Sequence, residues 1–448
     1  MKDSTYNKFS RAALIAAALT ITSPITAVAN AISSEQVIAD ITYLASDDLQ
    51  GRASFSPEID QAADYIATRF ADIGLQPFAA STNNTTANSF LQSFTVNQVQ
   101  PQTLTVTLNN NDIAPESLAM ATTMAKFTWQ QGQAKTHIIA QGDDMRARLS
   151  ELNQLGGQHL VVIHSAHAKT FKAYQGYFAR GLTKLSLEHR GAIVMVLSDD
   201  NQINKFQVNA SAKITEQTLT NVVGVLPGKE NPQEIVLYSS HYDHLGTTPD
   251  GKQVYNGADD DASGTTAVIN LAQYYAKQGK NKRTLMFSAF TAEEIGGFGS
   301  KYFSQQLNPD DVIAMINIEM IGKPSKFGAG TVWMTGMERS NLGALLNEKL
   351  ASIDKKIYQD PYPEQGLFYR SDNATLARLG VPAHSFSSTQ LDKDQHYHKT
   401  SDDISSLDLS SMHKVIESLA TATQSLVDAE VTPTRVDKAK VRAKGKIY

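Results

Sequence analysis

The spacing of apolar residues along this chain predicts helices and strands that alternate through its second half. Apolar residues recur at helical spacing over Ser34–Leu44 and again from Pro57 to Gly74, where a proline opens and a glycine closes the stretch. From Thr220 onward, apolar strand patterns alternate with helical ones, which is typical of an α/β fold. The strands predicted there are Asn221–Leu226, Ile235–Ser240, Arg283–Phe290, Val312–Ile318 and Val381–Phe386, and the helices are Thr265–Lys277, Gly299–Leu307, Leu342–Ile353 and Asp408–Asp428.

A different pattern occupies residues 98–218, where short strands are separated by sequence rich in Gln and Gly. We expect this stretch to form a strand-rich second domain, inserted into a first domain that consists of residues 32–97 and 219–430. Residues 204–218 are polar and are predicted to be a loop. The strands predicted in the insert are Thr103–Asn109, Thr136–Ala140, Leu160–His164 and Ala192–Ser198.

Both ends of the chain differ from the body. Residues 1–31 combine three early basic residues, an apolar run and small residues near Ala29 and Ala31, which predicts a cleaved secretory signal, with a membrane anchor as the alternative. We therefore expect an exported protein, periplasmic or secreted, without stable membrane insertion after cleavage. The tail, residues 431–448, is basic with few apolar residues and is predicted to be disordered and solvated, or else to contact an anionic surface.

Composition narrows the chemistry. The 448 residues are 41% hydrophobic and 19% charged, which suits a globular protein of two domains. The net charge of −5 argues against a nucleic-acid partner, since such proteins normally carry a basic domain. The chain has no cysteine, so disulfides, thiolate nucleophiles and cysteine-bound zinc are excluded. Any bound metal must use histidine, aspartate and glutamate, which suits zinc, cobalt or manganese.

Potential metal ligands follow four of the predicted strands. The carboxyl ends of parallel strands meet at one edge of a sheet, so these side chains are expected to lie close together. The sequence therefore predicts a two-metal hydrolytic site at this edge. The residues concerned are His241 and Asp243 after the Ile235–Ser240 strand, Glu293 and Glu294 after Arg283–Phe290, Glu319 after Val312–Ile318, His396-Tyr397-His398 after Val381–Phe386, and Asp259, Asp260 and Asp261 in the loop that follows His241.

Spacing within these groups suggests separate roles. In an extended backbone residues i and i+2 share a face, so Asp243 can orient the imidazole of His241, while His244 points away and is expected to line the cleft instead of binding metal. Three consecutive aspartates repel one another unless a cation compensates, and one of them can bridge two metals. Asp261 is expected to cap the next helix. Of two adjacent glutamates, one can coordinate while the other serves as general base.

The motifs, taken together, resemble metallopeptidase family twenty-eight, the co-catalytic di-zinc aminopeptidases and their carboxypeptidase relatives. The stretch Ala45–Arg52 also resembles the lead-in of such enzymes, although a plain connection between helices fits it equally well. The motifs that carry the resemblance are His241-Tyr-Asp-His-Leu-Gly246, Asn256-Gly-Ala-Asp-Asp-Asp-Ala-Ser-Gly264, Ala292-Glu-Glu-Ile-Gly296, Ile316-Asn-Ile-Glu-Met-Ile-Gly322 and Tyr397-His-Lys-Thr-Ser-Asp402.

The resemblance implies a three-layer fold, with a mixed, mostly parallel sheet flanked by helices, and a set of site residues. Its two zinc ions share Asp260: one is also held by His241 and Glu319, the other also by Glu294 and His398. Asp243 orients His241, Glu293 is the general base, and Tyr369 is a candidate donor to the tetrahedral intermediate. The family usually has aspartate where Glu319 stands, which leaves the metal preference of that position open. Residues 98–218 fall where some members carry a protease-associated domain.

The expected function is that of an exported aminopeptidase that removes N-terminal residues from peptides. A carboxypeptidase or dipeptidase, or a glutaminyl cyclase, could use the same scaffold. A binding protein that has lost catalysis is the alternative from another class. We expect an active enzyme, because every ligand and the base are present, whereas a dead homologue would have lost at least one. The sequence does not indicate side-chain specificity or oligomeric state.

Overall fold

The computed structural model describes residues 1–2, 31–78, 89–442 and 445–448. The predicted signal, residues 1–31, lies almost wholly outside the described residues. Within them, no helix combines the length and the apolar character that are needed to cross a membrane.

Four parallel strands form the middle of a large sheet, which we call the central sheet. In spatial order they are Ala383–Ser387, Val312–Ile318, Asn231–His241 and Arg283–Phe290. Every residue of Arg283–Phe290 is buried, as expected for a strand covered on both faces. Antiparallel neighbours extend the sheet at both sides, with Phe206–Leu226 and Leu91–Leu108 beyond Arg283–Phe290, and Val332–Met334 and its parallel partner Ile357–Gln359 beyond Ala383–Ser387.

Helices cover both faces of the central sheet, so the predicted three-layer α/β fold is confirmed. Alternate side chains of the Asn231–His241 strand enter separate apolar clusters, with Val236 and Tyr238 on one face and Leu237 on the other. The predicted ends of the second helix hold as well, because Ser56 caps it and Gly74 closes it in the left-handed region. One face carries helices Ser34–Leu44, Pro57–Ile73, Gly264–Gln278, Leu342–Leu350 and Leu409–Val427, and the other carries the shorter helices Phe298–Phe303 and Asn373–Ala377.

The stretch predicted to be strand-rich forms a second sheet, and it also contains two helices that the pattern missed. Met145–Leu155 buries Met145, Leu149 and Leu152 at helical spacing, whereas Ala168–Ala179 buries only Phe171 and Phe178, so the spacing is weak in the second of these helices alone. The strands of the second sheet, in spatial order, are Leu118–Thr122, Ala192–Leu197, Gln158–Ile163 and Lys135–Ile139.

The prediction of a loop at residues 204–218 is wrong. Phe206–Leu226 is one long strand, paired along its length with Leu91–Leu108. Its buried residues alternate with exposed polar ones, as at Val208 and Ala210, and this half-exposed pattern is what made the stretch look like a loop. Both long strands extend from the central sheet toward the second sheet, so the predicted boundaries at residues 97/98 and 218/219 fall inside strands.

The basic tail packs against both sheets instead of extending into solvent. Val436 and Val441 are buried in the apolar cluster on one face of the central sheet, and Ile447 is fully buried against the helices of the second sheet. Asn153 accepts hydrogen bonds from the Ile447 and Tyr448 amides at 2.8 and 2.9 Å. The prediction of a solvated tail therefore fails for its described residues, because a few apolar side chains anchor it between the lysines.

We expect Ile447→Ala to destabilise the packing of the second sheet by about 2 kcal/mol, since the substitution leaves a cavity in a closed cluster. The measurement is the urea midpoint of the purified chain. Lys440→Ala in the same segment is the control, because that side chain is 80% exposed and its loss should change stability by less than about 0.5 kcal/mol. Equal midpoints for Ile447→Ala and the wild type would show that the tail does not anchor the second sheet.

Candidate metal centre

Loops at the carboxyl ends of the parallel strands bring the predicted ligands together. His241 is the last residue of its strand, and Asp260 lies in the turn just before helix Gly264–Gln278. Glu294 and Glu319 follow the neighbouring strands. These side chains form two groups that could hold a metal ion, one of His241, Asp260 and Glu319, the other of His244, Asp260 and Glu294.

Asp260 belongs to both groups, and its two oxygens face different imidazoles. Its Oδ1 lies 3.2 Å from His241 Nε2, and its Oδ2 lies 3.3 Å from His398 Nε2. Both Nε2 atoms are buried without a hydrogen-bond partner in the described part of the chain. Burial would raise the pKa of Asp260, but the two imidazoles lower it well below its usual range. A carboxylate placed in this way fits a bridge between two cations. The imidazole nitrogens and carboxylate oxygens around it are donors that fit zinc.

Glu294 lies between two histidines, one of which was not predicted to lie there. Its Oε2 is 3.2 Å from His398 Nε2, and its Oε1 is 2.9 Å from His244 Nδ1. His244 was expected to point away from the ligands. The strand ends at His241, however, and the backbone amide of His244 donates to the carbonyl of Arg52, so the extended alternation does not continue to His244.

Asp243 contacts His241 and also holds the loop that carries the two glutamates. His241 Nδ1 lies 3.1 Å from the Asp243 carbonyl and 3.6 Å from its carboxylate. The carboxylate accepts hydrogen bonds from the amides of Glu293 and Glu294, at 3.0 and 3.3 Å. Asp243 thus fixes the imidazole of one metal group and the backbone beside the other.

Acidic residues crowd the floor of the site. Burial raises the pKa of Glu293 well above its usual range, and the nearby carboxylates of Glu319 and Asp372 act in the same direction. Burial likewise raises the pKa of Glu319 to about 7, with Asp260 adding to the effect. Such shifts show that these carboxylates lack enough positive charge to hold them ionised, and bound cations would supply it.

The three consecutive aspartates have three different surroundings. Asp261 accepts from the amides of Gly264 and Met320, at 3.0 and 3.1 Å, which matches its predicted place at the start of the helix. Asp259 is bound by the Thr389 hydroxyl and lies 3.3 Å from Lys323 Nζ. Only Asp260 faces the metal groups.

Two charged residues behind Asp260 were not predicted from the sequence. The carboxylate of Asp402 accepts hydrogen bonds from the amides of Asp259 and Asp260, at 3.2 and 3.1 Å. Lys323 Nζ lies 3.7 Å from Asp402 and 2.8 Å from Asp394, so it places a positive charge beside these carboxylates. Asp402 ends one of the motifs quoted above, which was the available signal. No sequence pattern singles out Lys323.

Two tyrosines lie near the metal groups, the predicted Tyr369 and also Tyr397. The hydroxyl of Tyr369 lies 3.5 Å from the amide of Arg442, whose guanidinium covers the ring, so this hydroxyl faces the C-terminal segment although Tyr369 lines a cleft next to Glu293. The ring of Tyr397 stacks on His398 with centroids 3.9 Å apart. Burial raises the pKa of Tyr397, and the nearby Asp260 and Glu294 raise it further.

A cavity of about 340 Å³ opens beside the metal groups. Asp260, Glu293 and Glu319 line it together with apolar side chains that include Trp333, Leu367 and Leu391. The carboxylates are therefore accessible from a pocket with an apolar wall, which is the usual character of a small-molecule or peptide site.

Sequence comparisons relate part of the chain to known peptidases. Residues 221–423 match the family model described as Peptidase family M28. A "Probable zinc metalloprotease" of Pyrenophora teres f. teres is 29% identical over 192 residues, which cover 42% of this chain and 40% of that protein. "Leucine aminopeptidase 1" of Ajellomyces dermatitidis is 26% identical over 284 residues, which cover 60% of this chain and 69% of that protein. The chain spans less than half the length of two fungal metalloproteases that it matches.

Solved structures share the fold at low sequence identity. The aminopeptidase of Aneurinibacillus sp. strain AM-1 superposes with a TM-score of 0.55 at 18% identity, over 93% of this chain and 98% of that one. BSAP, a zinc aminopeptidase from Bacillus subtilis, gives a TM-score of 0.53 at 16% identity, over 93% and 99%. At these identities the likeness bears on the fold alone.

Proposed function

We propose, from the match of residues 221–423 to the model of Peptidase family M28, that this protein is a di-zinc aminopeptidase that removes N-terminal residues from peptides. The observation that carries the proposal is the position of Asp260, whose two oxygens face the unpartnered Nε2 atoms of His241 and His398. A single carboxylate with a buried imidazole nitrogen at each of its two oxygens suits two bridged metal ions better than one.

In this proposal, His241, Asp260 and Glu319 would hold one zinc ion, and Asp260, Glu294 and His398 would hold the other. When bound, the two zinc ions would lower the pKa of a shared water and polarise the scissile carbonyl. Glu293 accepts a proton from the attacking water and then donates it to the leaving amine, while Asp243 holds the Glu293 amide in place.

The direct test uses the purified chain with leucyl-p-nitroanilide. Hydrolysis is expected in the presence of zinc, is expected to stop after treatment with a chelator, and should return when zinc is added. The N-acetylated substrate is the control and should not be cleaved, because an aminopeptidase needs a free amino group. Removal of C-terminal residues from N-blocked peptides would favour the carboxypeptidase alternative, and no hydrolysis of any amino-acyl substrate would contradict the proposal.

We also propose that the protein is exported, on the basis of the charge and apolar pattern of residues 1–31. N-terminal sequencing of protein made in a secreting bacterial host should begin at Asn30 or Ile32, immediately after the candidate cleavage sites. Recovery of full-length chain from the cytoplasm alone would contradict export.

The two histidines beside Glu294 are expected to differ in their effect on the second zinc ion. His398→Ala should leave about one tightly bound zinc per chain, because it removes a ligand. His244→Ala should keep both ions but weaken the second by roughly 10–100-fold, as the loss of a residue that only orients a ligand does. Competition with a chromophoric chelator measures both. Loss of the second ion in His244→Ala, with retention in His398→Ala, would make His244 the ligand.

A further inference from the structure

The guanidinium of Arg52 is completely buried and donates only to backbone carbonyls in the described part of the chain. Nε lies 2.8 Å from the carbonyl oxygen of Tyr242, Nη1 lies 2.6 Å from that of Asn256, and Nη2 lies 3.0 Å from that of Gly257. Nη1 also donates to the carbonyl of Leu44, at the end of the first helix. It is unusual for a buried cation to donate its hydrogen bonds to main-chain oxygens, because buried charges are normally paired with an opposite charge.

The carbonyls of Tyr242, Asn256 and Gly257 belong to the two arms of the loop that supplies the metal ligands. Tyr242 stands between His241 and Asp243, and the Asn256–Gly257 pair leads into the turn that carries Asp260. Arg52 therefore ties together two pieces of chain that are separated by more than ten residues and that must meet for His241 and Asp260 to share an ion.

Neighbouring residues of the lead-in reinforce the same attachment. The carbonyl of Arg52 accepts the amide of His244 at 3.1 Å, and the side-chain amide of Asn256 donates to the carbonyl of Ala45 at 3.0 Å. Gly51 has a φ of 71°, and a Cβ there would lie 2.3 Å from the carbonyl oxygen of Gly246. The segment Ala45–Arg52 is thus packed closely against the ligand loop and is not a free connection between helices.

Arginine is chemically suited to this position. Its planar fork carries five N–H donors in fixed directions, whereas lysine offers three from a single atom and methionine offers none. Burial lowers the pKa of Arg52 to about 10, with Asp243 acting in the opposite direction, so the group keeps its positive charge at neutral pH. That charge lies next to a site with several carboxylates.

We propose that Arg52 is a positioning residue for the metal centre. By binding the carbonyls on both arms of the loop, it sets the separation at which His241 and Asp260 converge before any ion arrives. This inference rests on the proposed zinc function. Without the Arg52 guanidinium, the carbonyls of Tyr242 and Asn256 lose their donor and the two arms of the loop separate. Part of the free energy of zinc binding is then used to bring the ligands together, so zinc binds more weakly.

The test compares Arg52→Met with Arg283→Met. Arg283 is also buried and donates to the carbonyls of Leu426 and Val431, but it stands at the start of its strand, at the opposite end of the central sheet from the ligands. Both substitutions should lower stability. Only Arg52→Met is expected to weaken zinc binding by the folded protein, by roughly 10–100-fold, as other losses of ligand-orienting groups do.

Further readouts separate positioning from general support of the fold. Added methylguanidinium should restore zinc affinity to Arg52→Met and should not affect Arg283→Met. At saturating zinc, the KM for leucyl-p-nitroanilide should stay close to that of the wild type, because Arg52 does not contact the substrate pocket.

The outcomes of this test are decisive for Arg52. Wild-type zinc affinity in folded Arg52→Met, or an equal loss in both methionine variants, would overturn the inference. If Arg52→Met does not fold, Arg52→Lys takes its place: weaker zinc binding supports the inference and unchanged binding overturns it. A wild type that binds no zinc would instead overturn the proposed function on which the inference rests.

Discussion

Glu293→Gln is expected to lower kcat for leucyl-p-nitroanilide by about 10²–10⁴-fold while both zinc ions stay bound. Glutamine keeps the size and the backbone contacts of Glu293, including the amide that donates to Asp243, but it cannot accept the proton of the attacking water. In the proposed ligand sets Glu293 binds neither ion. Steady-state kinetics and a zinc assay on the same preparation measure the two quantities together, with KM expected to change little.

The neighbouring glutamate gives a matched comparison. Glu294→Gln removes a proposed ligand that lies 3.2 Å from His398 and 2.9 Å from His244, so it should lose the second zinc ion as well as activity. The proposed roles thus predict different zinc contents for the two variants, although the substitutions are chemically identical and lie at adjacent positions. Near-normal activity of Glu293→Gln, or loss of zinc from that variant alone, would show that the roles are assigned wrongly.

Asp260→Ala is expected to have the second large effect, since this carboxylate belongs to both metal groups. Removing it leaves each ion with two protein ligands and leaves the imidazoles of His241 and His398 without the group between them. Zinc affinity should fall at both positions, and activity should fall at least as far as in Glu293→Gln. Equilibrium dialysis against buffered zinc, followed by kinetics, measures both effects.

Asp259→Asn is the control for that experiment. Asp259 is equally buried and adjacent in sequence, but its carboxylate binds Thr389 and Lys323 and does not face the metal groups. It should lose stability, because Lys323 loses part of its ion pairing, while two zinc ions are retained. Equal zinc contents for Asp260→Ala and Asp259→Asn would contradict a bridging role for Asp260.

The sequence predicts the position of the site well because the rule behind it is topological. Once four apolar strands are taken as parallel, the residues that follow them must meet at one edge, and His241, Glu294 and Glu319 do so. The same rule does not specify side-chain directions within a loop. His244 shows this, since its place beside Glu294 depends on the turn that begins where the strand ends.

Other features depend on contacts between distant parts of the chain. The Tyr369 hydroxyl contacts the Arg442 amide, and no local pattern reveals a contact between segments more than seventy residues apart. The tail is anchored by single apolar residues such as Ile447, whose pocket is formed by the second sheet and its helices. Arg52 is similar: its sequence neighbourhood marks a turn, and only the fold shows which carbonyls it binds.

The most direct test of a di-zinc centre is a crystal structure of the zinc-loaded protein with anomalous data at the zinc edge. Two anomalous peaks are expected, about 3.5–4 Å apart, on either side of the Asp260 carboxylate. One should lie between His241 and Glu319, and the other between Glu294 and His398. A single peak at saturating zinc, or peaks that Asp260 does not join, would contradict the account.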